Sequence, residues 1–199
     1  MSFHESRLRG MGFQAIAGID EAGRGPLAGP VVAAACILPP QSLIFHLNDS
    51  KQLKPKQRDA LFEILTADPA IAYGVGIISA ERIDEINILQ ATFEAMQEAV
   101  RNLTKLPDYI LVDGNLLPRI SIPSEALVKG DSLSVSIAAA SIIAKTIRDR
   151  MMIEAAKTWP HYGFEKHKGY GTALHLEALR RFGPCPIHRN SFEPVRSCN

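Results

Sequence analysis

A short apolar run that ends in two adjacent carboxylates is the feature that most constrains how this chain can fold. The run covers residues 15–19 and is followed by Asp20-Glu21 and the turn-forming segment Gly23-Arg24-Gly25-Pro26. Such a run predicts a buried strand, where an unpaired carboxylate is costly to desolvate. Acids at such a position usually bind a cation or act in catalysis, whereas an ordinary turn is the simpler explanation of one isolated pair.

Carboxylates recur at the ends of two later elements. Asp113 closes the apolar run 109–112, and Asp131 precedes a long helical segment. A turn explains Asp113 alone, and a helix N-cap explains Asp131 alone. Brought together, the four acids Asp20, Glu21, Asp113 and Asp131 would repel one another unless cations neutralised them. The pattern therefore predicts an oxygen-ligand site for Mg²⁺ or Mn²⁺, and the absence of Cys and His beside these acids argues against zinc.

The order of apolar runs and amphipathic segments predicts an α/β fold. Strands come first, the first two as a hairpin, and helices then alternate with further strands, so we expect a mixed central sheet flanked by helices. The segment 161–199 is predicted to be a small helical and loop extension that packs beside the active site and contacts substrate, while 1–160 form the main domain. The remaining predicted strands are 31–38, 71–78, 109–112 and 126–128. The predicted helices are 54–65, 132–159 and 173–181, and residues 81–103 are predicted to form one or two further helices.

Composition bounds the class of protein more than its function. The chain of 199 residues is 46% hydrophobic and can bury a core of its own. Its net charge of +1 says little, but bases outnumber acids from residue 161 onward, as expected for a phosphate-facing end. Its three cysteines lack the spacing of a zinc site or disulfide framework, and neither a signal peptide nor a membrane span is visible. We therefore expect a soluble, cytoplasmic protein, monomeric in the absence of any heptad pattern.

The predicted chemistry is phosphodiester hydrolysis. Hard cations held by carboxylates activate water and offset the charge that develops at phosphorus. The glycines of the segment 23–29 do not indicate a nucleotide-binding loop, because no Gly-Lys-Ser/Thr follows them and Pro26 prevents an immediate helix. No organic cofactor is expected.

Several motifs, in order, resemble those of ribonuclease HII over roughly residues 16–195. Any one of them is weak evidence, but their joint occurrence in this order is highly specific. The matching blocks are Gly18–Val31, Asn48–Lys51, Val112–Asn115, Lys129–Asp131, Ser136–Lys145, Tyr162–Phe164, His167–Thr172, Gly183-Pro184 and Ser191-Phe192.

This resemblance implies an RNase H-like fold and a metal-dependent endonuclease. The implied substrates are RNA–DNA hybrids, cut in the RNA strand, and duplex DNA with single embedded ribonucleotides, incised on their 5′ side to leave 3′-hydroxyl and 5′-phosphate ends, as in ribonucleotide excision repair. Asp20, Glu21, Asp113 and Asp131 fall on the family's four acidic positions. The resemblance further implies that the loop Gly23-Arg24-Gly25 contacts the ribose and that Tyr170 lies beside the 2′-hydroxyl at the RNA–DNA junction. Candidate phosphate contacts are Lys51, Lys129 and Lys168, for each of which a solvated lysine is the alternative.

Two other hypotheses use the same fold. A catalytically silent nucleic-acid-binding module would bind duplexes without metal, although its four acids would then have no role. A junction-resolving nuclease would require a dimer and four-way DNA. The related ribonuclease HIII carries an additional N-terminal domain, for which about 15 residues before the first strand are too few. The C-terminal tail shows no motif for binding a sliding clamp.

Overall fold

A five-stranded mixed sheet forms the centre of the fold in a computed structural model, which describes residues 2–40 and 53–198. The strand order is β3-β2-β1-β4-β5. Strand β2 is antiparallel to both β1 and β3, whereas β4 is parallel to β1 and to β5. The predicted mixed sheet and the opening hairpin are therefore confirmed. The strands are β1 (Ile16–Ala22), β2 (Val31–Ile37), β3 (Ala72–Ile78), β4 (Tyr109–Asp113) and β5 (Ser124–Leu127).

Helices cover both faces of this sheet. Two long helices, α3 and α5, pack on opposite faces and bury the apolar residues of the strands between them. Helix α3 is kinked at Asn87, which has a positive φ of 68°. The α-helices are α1 (Phe3–Gly10), α2 (Pro55–Ala67), α3 (Ala80–Arg101), α4 (Gly130–Leu133), α5 (Val135–Thr158), α6 (Phe164–His167) and α7 (Ala173–Phe182). Among the described residues, no helix combines the length and apolar composition needed to cross a bilayer.

Strand β1 continues through the two acids instead of ending before them. The backbone of Asp20 pairs with Ala34 and that of Glu21 with Ala33, so β2 satisfies the peptide groups on both sides of the acidic pair. Alternation along a strand sends consecutive side chains to opposite faces. Asp20 and Glu21 therefore leave the strand in opposite directions, which a turn at the strand end would not have imposed.

Helix α5 packs unusually close to β1 because Gly18 has no side chain. A Cβ atom built on Gly18 would lie 2.1 Å from the backbone N of Ile137. The small residues Ala138, Ala139 and Ala140 continue this contact along the helix, and all are fully buried. The small side chains of this stretch thus allow the helix to approach the strand closely.

The single helix predicted after Asp131 is wrong in one respect, because two helices occur there. Ser134 is extended, with φ −122° and ψ 129°, and separates α4 from α5. Its Oγ accepts the backbone N–H of Ile137 at 3.2 Å, which is the hydrogen bond of a helix N-cap. The break thus places Asp131 on its own short helix, one turn before α5 begins.

The N-terminal helix α1 was not predicted, and it supports the start of α5. Glu5 is 1% exposed, and its Oε1 accepts hydrogen bonds from the hydroxyls of Ser134 and Ser136, both at 2.6 Å. The backbone N–H of Ser136 donates to the same oxygen at 3.1 Å. A carboxylate at a helix N-terminus is favoured by the unpaired N–H groups there. Glu5 therefore fixes the junction from which Asp131 projects.

Candidate active site

Two of the predicted acids lie side by side because their strands are paired in parallel. Ile19 and Val112 are register partners, and each is followed by an acid, Asp20 in β1 and Asp113 in β4. Ile19 and Val112 pack into the core on the α3 side. Strand alternation therefore turns both following carboxylates toward the α5 side of the sheet.

Asp131 joins this pair through a tight turn before α4. Lys129 adopts a left-handed conformation with φ 58°, and the next backbone N–H, that of Gly130, donates to Oδ1 of Asp113 at 2.6 Å. One carboxylate oxygen from each of Asp20, Asp113 and Asp131 lies within 4.8 Å of the other two. The structure therefore brings together three of the four acids that the sequence predicted.

Burial and repulsion between neighbouring carboxylates make the ionised form of Asp20 unfavourable. The pKa of Asp20 is raised well above its usual range, first by burial and then by the charges of Glu21 and Asp113. Hydrogen bonds from the Ser141 side chain and the Glu21 N–H partly oppose this shift. Such a carboxylate gains from a neighbouring cation, because the cation removes the repulsion that the fold imposes.

The donor set fits a small, hard divalent ion. Oxygens around Mg²⁺ lie about 3.0 Å apart when adjacent and about 4.2 Å when opposite, which follows from bond lengths near 2.1 Å. The three carboxylates need only sub-ångström to ångström shifts to reach such distances. In the part of the chain that the structure describes, no Cys or His belongs to this group, which disfavours zinc.

Glu21 lies apart from the other three acids. It does not belong to the group of oxygens within 4.8 Å, and its Oε1 accepts a hydrogen bond from Nη1 of Arg24 at 3.3 Å. Glu21 lines a cavity of about 130 Å³ with Asp113, Phe93 and Met96, on the α3 side of β1. This separation follows directly from its position next to Asp20 in an extended strand.

The loop Gly23–Gly29 is held from behind by two buried arginines, Arg148 and Arg189, each 0% exposed. Arg189 donates from Nη1 to the carbonyl of Arg24 at 2.9 Å and from Nε to that of Gly29 at 3.0 Å. Arg148 donates to the carbonyls of Pro30, Ala28 and Lys168 at 3.0 to 3.2 Å. Their donors thus fix the loop through its carbonyl oxygens.

Close packing explains the glycine at position 23. Its φ is +98°, and an added Cβ would lie 2.0 Å from Nε of Arg148. Any other residue would strain the backbone and displace the guanidinium at once. The predicted loop glycine is therefore required by the structure, whatever it contacts in a substrate.

Tyr170 lies beside the glycine-rich loop, near Gly25. A Cβ on Gly25 would be 3.6 Å from Cε1 of the Tyr170 ring, and Leu27 N–H donates to the carbonyl of Gly169 at 2.8 Å. The ring is 45% exposed. A cavity of about 260 Å³ opens between the loop and the ring, lined by Glu21, Ala22, Gly23, Arg24, Gly25, Ser141, Lys145 and Tyr170. Four predicted binding residues and one predicted acid thus share one cavity.

The three candidate lysines are less informative. Lys51 lies outside the described residues. Lys129 is exposed in the turn before Asp131, and Lys168 donates from Nζ to the carbonyl of Glu165. Their contacts with phosphate stay predictions.

A larger cleft of about 680 Å³ lies along α3, and none of the four predicted acids lines it. It is lined in part by Arg82, Arg101 and Arg119. Chemistry and not size therefore identifies the candidate active site, because two smaller cavities that described residues line adjoin the predicted acids.

The two arginines that hold the glycine-rich loop, Arg148 and Arg189, were not predicted from the sequence. Arg148 lies within the predicted helix, and Arg189 lies in an irregular segment, so neither follows a periodic pattern that indicates burial. One signal was available, because the segment after residue 161 has more bases than acids to pair with them. Arginines without acidic partners commonly bind backbone carbonyls or phosphates.

Replacing Asp20 by Asn is expected to stabilise the metal-free protein at neutral pH. The folded pKa of Asp20 lies above its unfolded value, so the wild type loses stability as pH rises from about 4. The neutral amide avoids this loss and keeps the oxygen that accepts Glu21 N–H at 2.7 Å. We expect its Tm, measured with chelator, to exceed that of the wild type by a few degrees at pH 7 and to match it below pH 3. A lower Tm at pH 7 would contradict the repulsion.

Comparison with known proteins supports a nuclease. The sequence profile of the ribonuclease HII family matches residues 17–195. Ribonuclease HII of Chlamydia caviae is 59% identical over 192 residues, which cover 96% of this chain and 90% of the relative. That of Chlamydia muridarum is 58% identical over 195 residues, covering 98% of this chain and 89% of the relative.

Solved structures agree with this family in fold. Ribonuclease H2 of Pyrococcus horikoshii OT3 superposes with a TM-score of 0.76 at 29% identity and covers 92% of this chain and 96% of its own. The RNase HII of Archaeoglobus fulgidus, solved in complex with PCNA, gives 0.75 at 25% identity, with coverages of 90% and 95%. The predicted RNase H-like fold is confirmed, and a non-catalytic module is disfavoured. The chain therefore belongs to the ribonuclease HII family and is a metal-dependent ribonuclease H that cuts the RNA strand of RNA–DNA hybrids.

Proposed function

We propose that this protein also incises duplex DNA on the 5′ side of single embedded ribonucleotides, leaving 3′-hydroxyl and 5′-phosphate ends, and so initiates ribonucleotide excision repair. The observation that carries the proposal is the position of the acid cluster beside a cavity bounded by the loop Gly23–Gly25 and Tyr170. We propose that a single nucleotide occupies this cavity of about 260 Å³. A site that required a longer RNA segment would need further ribose contacts.

The acids are proposed to hold divalent metal, either Mn²⁺ or Mg²⁺, and to fix the scissile phosphate. Asp20, Asp113 and Asp131 would be the principal ligands, and Glu21 would complete the site from the opposite face of β1. When bound, the metal lowers the pKa of water and neutralises charge on the phosphate. The chain supplies orientation, because the Gly130 N–H donates to Oδ1 of Asp113 and so fixes the direction of its carboxylate.

Recognition of the ribose is proposed to depend on both walls of the cavity. Gly23, Arg24 and Gly25 form one wall, which Arg189 holds from behind through the carbonyls of Gly23 and Arg24. The exposed ring of Tyr170 would stack on the neighbouring deoxyribose, where an additional hydroxyl would clash. The 2′-hydroxyl distinguishes RNA from DNA, so a wall at each side of that group can select the junction.

The segment 161–199 is proposed to act as a substrate-contacting extension of the main domain 1–160. It contributes Tyr170 and Arg189, and it contacts the glycine-rich loop through the bridge between Ala28 and His188. Action in the cytoplasm as a monomer is likewise proposed, and the unpaired thiols are compatible with a reducing compartment. The Archaeoglobus relative binds PCNA, whereas the tail of this chain led us to expect no clamp; that expectation stays a prediction.

A duplex with one ribonucleotide, labelled at both ends, tests the function directly. With Mn²⁺ or Mg²⁺ we expect one cut on its 5′ side, and a ligase should reseal the nick because the ends are 3′-hydroxyl and 5′-phosphate. Chelator should abolish cutting, and an all-DNA duplex of the same sequence should stay intact. Cutting that persists in chelator, or that falls on the 3′ side, would contradict the proposal.

A further inference from the structure

Three histidines, His167, His175 and His188, are buried behind Tyr170 and have no role in the proposed chemistry. They are 9%, 0% and 1% exposed. The Nε2 atoms of His175 and His188 lie 3.0 Å apart, and the ring of His167 stacks on that of His175 with centroids 4.5 Å apart. In a neutral imidazole one ring nitrogen donates a hydrogen bond and the other accepts one. The partners of each ring nitrogen therefore indicate which tautomer each histidine adopts.

The hydrogen bonds of the His175–His188 pair fit one arrangement of protons. The shortest contact of Nδ1 of His188 is with the backbone N–H of Cys185, at 2.9 Å, whereas Sγ and the carbonyl oxygen of Cys185 are 3.1 and 3.3 Å from it. We therefore assign Nδ1 as the acceptor and place the proton of His188 on Nε2. That N–H donates to Nε2 of His175, which leaves the proton of His175 on Nδ1. This proton points to the carbonyl of Tyr170 at 2.9 Å. We call this chain from Cys185 to Tyr170 the histidine relay.

His188 also belongs, through its backbone, to the segment that binds the glycine-rich loop. It forms an isolated antiparallel bridge with Ala28. On either side of it, Gly29 N–H donates to the carbonyl of Ile187 at 2.8 Å, and Arg189 N–H donates to that of Leu27 at 2.9 Å. One residue thus contacts the loop with its main chain and, through His175, the backbone of Tyr170 with its side chain.

The environment of the relay favours neutral rings. Burial, followed by the neighbouring His175, lowers the pKa of His188 to about 4, and burial also lowers the pKa of His175. The groups that face the pair are the rings of Tyr162, Phe164 and His167 and the thiol of Cys185. A proton added to His175 would set two N–H groups against each other across the 3.0 Å contact, and one added to His188 would set its Nδ1–H against the backbone N–H of Cys185 at 2.9 Å.

We propose that His188 and His175 are positioning residues that couple Tyr170 to the loop Gly23–Gly29, so that the two walls of the ribose cavity keep a fixed separation. This inference rests on the proposed role of Tyr170 at the RNA–DNA junction. A fixed separation matters for specificity because a displacement of about 1 Å at a reacting group can lower the rate up to 10²-fold. The relay therefore acts on the choice of substrate and leaves the acids untouched.

Nitrogen NMR of the full chain, with ¹⁵N-labelled histidine at pH 7, tests the proton arrangement without any assay of activity. We expect His188 to be the Nε2–H tautomer and His175 the Nδ1–H tautomer, each bonded as a neutral ring. Any other tautomer at either residue, or a charged ring at pH 7, would overturn the relay.

Two substitutions of His188 separate its donor from its acceptor. Gln places an amide N–H near the position of Nε2 and keeps the donor to His175, whereas Asn places an oxygen near Nδ1 and loses that donor. We expect His188→Asn to lower kcat/KM on an embedded ribonucleotide about tenfold, comparable to one lost internal hydrogen bond, with less than a threefold change on a continuous hybrid. His188→Gln should stay within about threefold of the wild type on both. His161→Asn, at an exposed histidine outside the relay, is the matched control.

The same assay separates failure of the relay from failure of the proposed function. Tyr170→Ala should abolish incision at the embedded ribonucleotide; if it does not, the role of Tyr170 and with it the relay are overturned, whereas failure of the wild type to incise that duplex overturns the proposed function. If Tyr170→Ala abolishes this incision while His188→Asn and His188→Gln behave alike, the relay alone is overturned. Equal losses on both substrates for His188→Asn would indicate a structural role and would also overturn it.

Discussion

The substitution Asp113→Asn is expected to lower the rate of RNA-strand cleavage by about 10³-fold or more while the protein stays folded. A ligand carboxylate contributes several kcal/mol to charge stabilisation at a metal site, and about 4 kcal/mol corresponds to 10³ in rate. The fold should tolerate the change because an Asn Oδ1 still accepts the Gly130 N–H, which now donates at 2.6 Å. Single-turnover cleavage of a hybrid with saturating enzyme measures the loss.

Binding and stability distinguish this result from simple unfolding. We expect duplex affinity within a few-fold of the wild type and a Tm that is unchanged or higher, since one repelling charge near Asp20 is removed. Asp59→Asn, at an exposed aspartate of α2, is the matched control and should leave cleavage unchanged. Near-normal turnover by Asp113→Asn would reject its assignment as a catalytic ligand.

The second large effect is expected from Arg189→Lys, a change that keeps the charge. Arg189 reaches three carbonyls, those of Gly23, Arg24 and Gly29, from a site that is 0% exposed. A lysine ammonium cannot span them, because its three donors diverge from one point whereas the guanidinium is a planar fork. We expect a loss of about 3 kcal/mol in the free energy of unfolding, or a fall in Tm of about 6–12 °C.

Arg189→Lys should also lower activity, because the loop that Arg189 holds bounds the proposed ribose cavity. Because Arg189 holds the carbonyls at both ends of Gly23–Gly29, incision at an embedded ribonucleotide should fall with stability, even at a temperature where the variant is folded. Arg180→Lys, at an exposed arginine of α7, is the control for a surface change. A Tm within 1–2 °C of the wild type would show that water or another donor replaces the guanidinium.

The sequence predicted the elements that bring the acids together but not how those acids are oriented. Apolar runs followed by Asp113 and by Asp20 identified two strands, and a parallel pairing of the two brings both carboxylates to one end. The orientation of Glu21 was missed, because the acidic pair was taken to follow the strand and not to lie inside it. Pairing with the alanines of β2 extends the strand through both acids, and no local pattern reports such a partner.

The buried side chains that hold the site in place were harder to predict, for a related reason. Apart from the bond of Arg148 to Lys168, the three residues Glu5, Arg148 and Arg189 contact groups 118 to 166 residues distant in the chain, at serines or at main-chain carbonyls. Carbonyl acceptors are present in every residue, so no residue type marks the receiving end of such a bond. The acids were predictable because like charges must be compensated, whereas a buried guanidinium compensated by peptide groups leaves no second charge in the sequence.

Gly18, which has no side chain, affects the spacing between Asp20 and Asp131. Its Cα hydrogen is all that separates β1 from the backbone of α5, and a methyl group there would approach that backbone to 2.1 Å. The helix would have to retreat by more than about 1 Å to restore ordinary contact. Asp20 is carried by the strand and Asp131 by the short helix joined to α5, so the retreat would widen the gap between them. If these carboxylates bind the metal as proposed, the absence of a side chain at Gly18 thus sets the spacing of their oxygens, and with it the size of ion that they can coordinate.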